Sequence, residues 1–216
     1  MSQVKRITRK WTRRAQTRSL AVALITAVGM LGLLSCQQAQ SLVRSSNPDR
    51  SGSVPAKVVI VSDKEAGEPM IISGTIYAPD GRTPLEGIDL FVYQTDSTGR
   101  YSTDGSGGDN RNTRIHGLVR SGKDGRYEFR TIKPGSYPAS RNPAHIHAYI
   151  SGPGYPEYWI DEYHFDDDPF IPDEQKRTAA SHGSFSPILK LTRSDGVLRA
   201  VRDIKVEKCS RNCTGR

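Results

Sequence analysis

The stretch TIKPGSYPASRNPAHIHAYI, residues 131–150, decides the fold assignment because it joins a Gly/Pro turn to an alternating apolar run. Tyr137 lies in the turn, and His145 and His147 stand at the head of the run. Successive side chains of a β-strand point to opposite faces, so the two histidines share one face and Ile146 faces the other. The stretch therefore predicts a strand that carries half of a metal site.

Short apolar runs separated by turn sequences such as Asp124-Gly125 continue along the chain. No long segment has the 3.6-residue period of an amphipathic helix. Many short strands with frequent turns predict an all-β fold, an antiparallel β-sandwich with long active-site loops. Residues 166–186 are acidic and then irregular, which predicts a long loop or a short helix. The predicted strands are 57–62, 70–77, 88–94, 116–120, 126–132, 145–150, 157–165, 187–192 and 197–206.

The first 35 residues have the features of an export signal. Seven basic residues and no acidic residue accompany an apolar run at 20–34, and Cys36 follows in a context that resembles a bacterial lipobox. An uncleaved anchor is the alternative, because signal sequences and short membrane spans overlap in length. Arg13-Arg14 is typical of twin-arginine export, and ordinary Sec export fits equally well. We expect a lipoprotein signal peptide at 1–35 and an extracytoplasmic protein held to the membrane by a lipid on Cys36.

The remainder is expected to form one domain on a tether. Residues 36–56 are rich in Ser, Gln, Asn and Pro, which is typical of a flexible linker. The β-sandwich is expected over 57–208, followed by a C-terminal tail at 209–216. Cys209 and Cys213 in this tail could pair in an oxidising compartment or remain free thiols.

The charge balance argues against a nucleic-acid partner. Seven of the 31 Lys and Arg residues lie in the signal, so 24 basic residues face 23 Asp and Glu in the rest of the chain. A nearly neutral domain does not have the clustered basic surface that nucleic-acid binding requires. A small-molecule substrate is the expected partner, and homo-oligomerisation stays open.

Tyr101, Tyr137, His145 and His147 form a candidate metal-binding set. Two phenolates and two imidazoles make a hard, anionic set of ligands that suits trivalent iron better than zinc or magnesium. Each residue alone has a simpler interpretation, as a packed tyrosine ring or as a histidine pair that lies on the surface or binds zinc. A cupin-like site would need a glutamate and a glycine soon after the histidine pair, and residues 148–156 do not supply them at suitable places.

A series of short motifs surrounds these four residues in the sequence. The order and spacing of the motifs are as specific as their residue types. The motifs are Gly74-Thr75-Ile76-Tyr77, Pro84-Leu85-Glu86-Gly87, Val92-Tyr93-Gln94-Thr95-Asp96, Gly99-Arg100-Tyr101, His116-Gly117, Asp124-Gly125-Arg126-Tyr127-Glu128-Phe129-Arg130-Thr131-Ile132, Pro134-Gly135-Ser136-Tyr137-Pro138 and Pro143-Ala144-His145-Ile146-His147. Together they resemble the intradiol ring-cleavage dioxygenases over residues 71–169, in particular the protocatechuate 3,4-dioxygenase branch. Residues 37–70 are too short and polar to supply the helical dimerisation segment of the catechol 1,2-dioxygenases.

The resemblance implies a non-haem Fe3+ enzyme. Such an enzyme inserts both atoms of O2 into a catechol-type aromatic and cleaves the bond between the two hydroxylated carbons, which gives a muconate. Tyr101, Tyr137, His145 and His147 occupy the positions of the family's iron ligands. Tyr137 would also be the internal base that takes up a substrate proton.

Two further positions depart from the family pattern. Asn142 stands where the family has an arginine, with Arg141 one residue earlier, and Glu162 replaces a glutamine. A carboxylate near a dianionic substrate is unfavourable unless it is protonated or paired, so we expect Arg141 to reach the site and pair with Glu162. Arg141 and Glu162 therefore join Tyr137 as predicted catalytic residues.

Two hypotheses stay open at this point. The first is a membrane-anchored intradiol dioxygenase, and the second is a non-catalytic β-sandwich binding lipoprotein that keeps the fold or the metal site. The four ligands favour the enzyme, whereas Asn142 and Glu162 favour the binding protein. His164 and Asp161 lie close to Glu162 in the chain, and we expect them at the surface or behind the ligands rather than on the metal.

Overall fold

The computed structural model describes residues 53–102 and 111–208, which all belong to the unit Asp49–Arg216. The predicted signal peptide, most of the predicted tether and the tail with Cys209 and Cys213 lie outside the described residues. Within the described ranges, no helix has the length and apolarity needed to cross a membrane.

Strands dominate this part of the chain. The helical segments are α1 (Asp173–Ala180) and a 3₁₀ turn (Gly183–Phe185), both within the segment for which the sequence predicts a loop or short helix. The strands are β1 (Lys57–Val59), β2 (Pro69–Tyr77), β3 (Asp89–Gln94), β4 (Ile115–Arg120), β5 (Arg126–Ile132), β6 (Ile146–Gly152), β7 (Tyr155–Phe165), β8 (Ile188–Leu189), β9 (Thr192–Ser194), β10 (Val197–Val201) and β11 (Ile204–Lys205).

The described strands form two sheets that pack as a β-sandwich. The first sheet has the order β1-β5-β2-β10-β9, with β11 also paired to β2, and the second has the order β4-β3-β6-β7-β8. The predicted all-β sandwich is confirmed, but the sheets are mixed rather than antiparallel throughout. The pairs β1–β5, β2–β10, β2–β11 and β7–β8 are parallel. These pairs involve short strands that return after longer connections, whereas hairpins can join only antiparallel strands.

The last two predicted strands are each broken in the structure. Within the run 187–192, only Ile188 and Leu189 form β8, and the last residue, Thr192, begins β9. The run 197–206 divides into β10 and β11. The second break lies at Arg202, whose backbone N–H donates to the carbonyl oxygen of Ser73 at 2.9 Å. Alternating apolar residues continue through this bend, so the sequence pattern does not mark it.

Apolar side chains from both sheets form one core. In β6 the residues Ile146, Ala148 and Ile150 are fully buried in it, so alternation directs His147 and Tyr149 to the other face of the second sheet. Burying one large apolar side chain contributes roughly 1.5–3 kcal/mol, and a slip of one residue would reverse every side chain of the strand. The core therefore fixes the face on which His147 lies.

Gln94 is a buried polar residue that connects the two sheets. Its Nε2 donates to the carbonyl oxygens of Ile132 (2.9 Å) and Thr95 (3.1 Å), and its Oε1 accepts from Thr131 Oγ1 at 2.8 Å. Gln94 ends β3 of the second sheet, whereas Thr131 and Ile132 end β5 of the first. The amide therefore ties together the two strand ends from which the loops carrying Tyr101 and Tyr137 begin.

We expect Gln94→Leu to lower the free energy of unfolding by about 3 kcal/mol, because each buried polar group left without a partner costs about 1–3 kcal/mol. Gln175→Leu makes the same change on an exposed position of α1 and should alter the free energy of unfolding by less than about 0.5 kcal/mol. Urea unfolding followed by circular dichroism measures both variants. Equal stability of the two variants would contradict the connecting role of Gln94.

Candidate active site

Polar side chains cluster on the face of the second sheet that points away from the core. Tyr101 follows the turn after β3, Tyr137 lies in the loop between β5 and β6, His145 immediately precedes β6, and His147 is its second residue. Tyr101 and both histidines are buried, whereas Tyr137 is partly exposed. The structure thus brings together the four residues that the sequence proposes as ligands.

The potential ligand atoms of these four side chains lie within hydrogen-bond distance of their neighbours. Tyr101 Oη is 2.6 Å from Tyr137 Oη and 2.8 Å from His147 Nε2. Tyr137 Oη is 3.1 Å from His145 Nε2, and the two Nε2 atoms are 3.2 Å apart. Two oxygens and two nitrogens therefore converge on one small volume.

The outer nitrogen of each histidine lies close to an acceptor oxygen, which favours one tautomer of the ring. His145 Nδ1 lies 2.7 Å from the carbonyl oxygen of Pro143, and His147 Nδ1 lies 2.8 Å from Glu162 Oε1. A carbonyl oxygen only accepts hydrogen bonds, so His145 Nδ1 carries the hydrogen. The carboxylate of Glu162 also only accepts, and its ion-pair contact with His147 Nδ1 favours the same tautomer although the two groups are not aligned as a hydrogen bond. Nε2 of each ring therefore presents its lone pair to the cluster.

The two inward lone pairs make the cluster suitable for a cation. Imidazole lone pairs that face each other at 3.2 Å repel unless a cation or a proton lies between them. The two phenol groups can supply protons, or can lose them and become anionic ligands. With both phenols ionised, the set offers two anionic oxygens and two neutral nitrogens, which fits Fe3+.

Aromatic rings hold His147 in place. The ring of Tyr93, in β3, stacks on His147 with centroids 4.5 Å apart, and the ring of Trp159, in β7, meets it edge-on at 5.0 Å. Pairs of this kind contribute about 0.5–1.5 kcal/mol beyond the area that they bury. Sequence reasoning did not identify these two residues as parts of the site, because only the strand register of β3, β6 and β7 brings their rings to His147.

Asp96 builds the turn that leads to Tyr101. Its Oδ1 accepts hydrogen bonds from Thr98 N (2.8 Å), Thr98 Oγ1 (2.8 Å) and Arg100 N (3.0 Å). Burial raises the pKa of Asp96, but these hydrogen bonds and the charge of Arg114 outweigh burial and hold the pKa below its usual value. The Asp-Ser-Thr-Gly sequence is a recognisable turn signal, although its role in placing Tyr101 emerges only from the structure.

The loops that carry the two tyrosines touch through their backbones at two glycines. A Cβ on Gly99 would lie 1.9 Å from the carbonyl oxygen of Ser136, and a Cβ on Gly135 would lie 2.6 Å from that of Ser97. The N–H of Gly135 also donates to the carbonyl oxygen of Asp96 at 2.8 Å. Only residues without a side chain allow this approach. The contact therefore sets the separation of the two tyrosines.

Glu162 contacts the outer side of His147, and Arg141 lies elsewhere. Glu162 Oε2 is also 3.6 Å from His164 Nε2, whereas Arg141 is exposed with its Cζ 5.5 Å from the centroid of Phe170. Burial raises the pKa of Glu162, but the close contact with His147 and the charges of the neighbouring imidazoles outweigh it and lower the pKa. A carboxylate–imidazole pair thus stands where the sequence suggests an ion pair between Arg141 and Glu162.

Asp168 and His164 lie behind His145. Asp168 is buried, its Oδ2 accepts from the backbone N–H of Ala144 at 2.7 Å, and its Oδ1 accepts from that of Phe170 at 2.8 Å. The ring centroid of His164 is 5.9 Å from that of His145. Burial lowers the pKa of His164, and the charge of Glu162 only partly offsets this. Asp168 therefore holds the backbone of Ala144, the residue before His145. No short sequence motif indicates this role of Asp168.

Comparison with known proteins identifies the family. The chain matches the Dioxygenase_C family model, described as Dioxygenase, over residues 51–198, which include the whole cluster. Catechol 1,2-dioxygenase 1 of Acinetobacter lwoffii is 32% identical over 112 residues, which is 44% of this chain and 35% of the relative. The chain belongs to the intradiol ring-cleavage dioxygenase family.

A further curated relative and a solved structure of similar fold were also found. The protocatechuate 3,4-dioxygenase beta chain of Burkholderia cepacia is 27% identical over 123 residues, which is 53% of this chain and 52% of the relative. A solved structure, the dioxygenase domain of a dioxygenase carbohydrate-binding protein fusion from Streptomyces sp. SirexAA-E, superposes with a TM-score of 0.55 at 23% identity, covering 72% of this chain and 90% of that one. The chain spans about a third to a half of these two curated relatives, and the branch within the intradiol family stays a prediction.

Gly99 and Gly154 allow a matched test of the contact between the tyrosine loops. Their φ angles are 81° and 80°, but a Cβ on Gly154 would meet nothing within 4 Å. We expect Gly154→Ala to lower the free energy of unfolding by about 1 kcal/mol through backbone strain, and Gly99→Ala by about 3 kcal/mol through strain and the clash together. Urea unfolding measures both losses. Equal losses would show that the close backbone approach at Gly99 does not contribute to the free energy of unfolding.

Proposed function

We propose that this protein is a non-haem Fe3+ intradiol dioxygenase that inserts both atoms of O2 into a catechol-type aromatic and gives a muconate. The observation that carries the proposal is the convergence of Tyr101, Tyr137, His145 and His147, with both imidazole lone pairs turned toward the phenol oxygens. Family membership supports the reaction type. Catechol and protocatechuate, which the relatives' names mention, are the first substrates to try.

Tyr137 is the member of the cluster best placed to act as the base. It is partly exposed, whereas Tyr101 is only 7% exposed, so a substrate arriving from solvent can reach Tyr137. A phenolate at this position can accept a hydroxyl proton from the catechol. Its oxygen lies beside Tyr101 Oη and His145 Nε2, so the accepted proton stays inside the polar cluster.

The buried members have a different task. Tyr101 and the two histidines would hold the iron throughout, because their atoms are fixed by the strand, the Asp96 turn and the stacked rings. Bound Fe3+ would draw electron density from the catecholate and make its ring reactive toward O2, so that no external reductant is required.

The visible spectrum of the purified full-length protein loaded with Fe3+ tests this function. We expect a red-brown tyrosinate charge-transfer band that shifts when catechol or protocatechuate is added without O2. Tyr137→Phe should weaken the band and lower the rate of O2 uptake by about 10²–10⁴-fold, the usual contribution of a general base. Tyr155→Phe removes the same hydroxyl from a partly exposed ring of β7 outside the cluster and should change neither.

The same measurements identify the opposite result. A wild-type protein that remains colourless with excess Fe3+ would contradict the proposed metal site. A second candidate function, a non-catalytic aromatic-binding protein, is favoured by the exposed position of Arg141 over Phe170. That function predicts a spectral shift with catechol but no O2 uptake with any catechol tested.

We also propose that the protein is exported and anchored to a membrane through Cys36. The basic segment, the apolar run and the cysteine that follows support this, and all of them lie outside the described residues. Cys36→Ser should abolish labelling by radioactive palmitate and move the protein from the detergent phase to the aqueous phase of a Triton X-114 extract. Cys209→Ser is the control and should behave as wild type. Wild-type protein that partitions into the aqueous phase without label would contradict the anchor.

A further inference from the structure

A β-bulge brings Glu162 to His147. Ile146 pairs with Tyr163, and Ala148 pairs with Ile160, with a register shift between the two pairs. One residue of β6, His147, therefore faces two residues of β7, Asp161 and Glu162. An extra residue in one strand of an antiparallel pair redirects the neighbouring side chains, and such bulges are common beside active sites. Here the result is a carboxylate 2.8 Å from Nδ1 of a proposed ligand.

A buried arginine fixes this bulge. Arg202 is 5% exposed, and its Nη1 donates to the carbonyl oxygen of Asp161 at 2.8 Å. Its Cζ lies 4.3 Å from the ring centroid of Tyr163, and its own carbonyl oxygen accepts from Tyr127 Oη at 2.7 Å. Burying an arginine is expensive unless its polar atoms and charge are compensated. The Nη1 hydrogen bond and the ring of Tyr163 offset part of this cost and hold the backbone of the bulge, whereas Nε has no hydrogen-bond partner among the described residues.

The contacts of Glu162 assign it to the outer side of the histidine. One potential ligand atom from each of His145, His147 and Glu162 lies within 4.8 Å of the others, so direct coordination by Glu162 has to be considered. The carboxylate, however, lies 2.8 Å from Nδ1 in an ion-pair contact that is not aligned as a hydrogen bond, whereas the atom that faces Tyr101 at 2.8 Å is Nε2. A carboxylate paired with Nδ1 supports the ligand instead of competing for its position.

We propose that Glu162 is a positioning residue that keeps His147 in the Nδ1–H form and strengthens its Nε2 as a ligand for trivalent iron. This inference rests on the proposed function. A carboxylate hydrogen-bonded to the outer N–H of a ligating histidine fixes the ring and raises its basicity. A glutamine can place an acceptor oxygen at the same distance from Nδ1 but carries no charge. The added negative charge stabilises Fe3+ more than Fe2+, because the interaction scales with the charge of the ion.

Glu162→Gln and Asp161→Asn form the matched pair for the test. Both remove one carboxylate charge from the same bulge, but Asp161 is exposed and only its backbone carbonyl is held by Arg202. We expect Glu162→Gln to weaken Fe3+ binding by about 10–100-fold, measured by competition with a chelator. If Fe2+ binding is unchanged, each tenfold loss raises the reduction potential by about 59 mV. Asp161→Asn should keep the wild-type affinity and potential.

A second measurement needs no iron. Long-range 1H–15N NMR of the metal-free protein reports which nitrogen of His147 carries the hydrogen. We expect the Nδ1–H form in wild type and in Glu162→Gln, and a mixture of both forms in Glu162→Ala, which removes the acceptor. The unfolding midpoint of each variant shows that the fold is retained.

The outcomes separate the inference from the proposed function. A wild-type protein that takes up no Fe3+ would contradict the proposed function. The tautomer of His147 would still test the positioning role of Glu162. An iron protein whose affinity and potential are unchanged by Glu162→Gln, or shifted equally by Asp161→Asn, would overturn the charge effect of Glu162. Complete loss of Fe3+ binding in Glu162→Gln would also overturn it, because that result indicates a direct ligand.

Discussion

The contacts of the outer nitrogens of His145 and His147 with acceptor oxygens are the interactions on which the site depends. The carbonyl oxygen of Pro143 and the carboxylate of Glu162 can only accept, so both rings turn their lone pairs toward the phenol oxygens. Without these acceptors the same four side chains could satisfy one another as ordinary hydrogen-bond donors and acceptors. A group of buried polar residues thereby becomes a set of ligands prepared for a cation.

The rest of the domain keeps these atoms in place by ordinary packing. The apolar residues of β6 fix its register, which puts His147 on the outer face. The backbone contact at Gly99 and Gly135 joins the loops of the two tyrosines. Gln94 ties together the strand ends from which those loops begin. A mobile ligand would lose conformational entropy on binding the metal, so this rigidity lowers the cost of binding.

The sequence predicts the fold class and the four clustered residues because both depend on local patterns. Alternation in β6 indicates the shared face of the two histidines, and the turn sequences place each tyrosine near a strand end. The partners of Glu162 could not be predicted, because they depend on one extra residue in β7 that neither periodicity nor spacing reveals. The bend at Arg202 and the parallel pairing of β7 with β8 are tertiary features that local patterns do not encode.

The charges of the site suggest a reason why the two departures from the family pattern occur together. Fe3+ with two tyrosinates would carry one positive charge, and the carboxylate of Glu162 would cancel it. A catecholate dianion would then meet a neutral centre, with Arg141 stacked at the surface over Phe170. Coulomb attraction between the site and the substrate is therefore weaker than it would be with a glutamine and an inward arginine. On this view the chain favours retention of iron over attraction of the substrate.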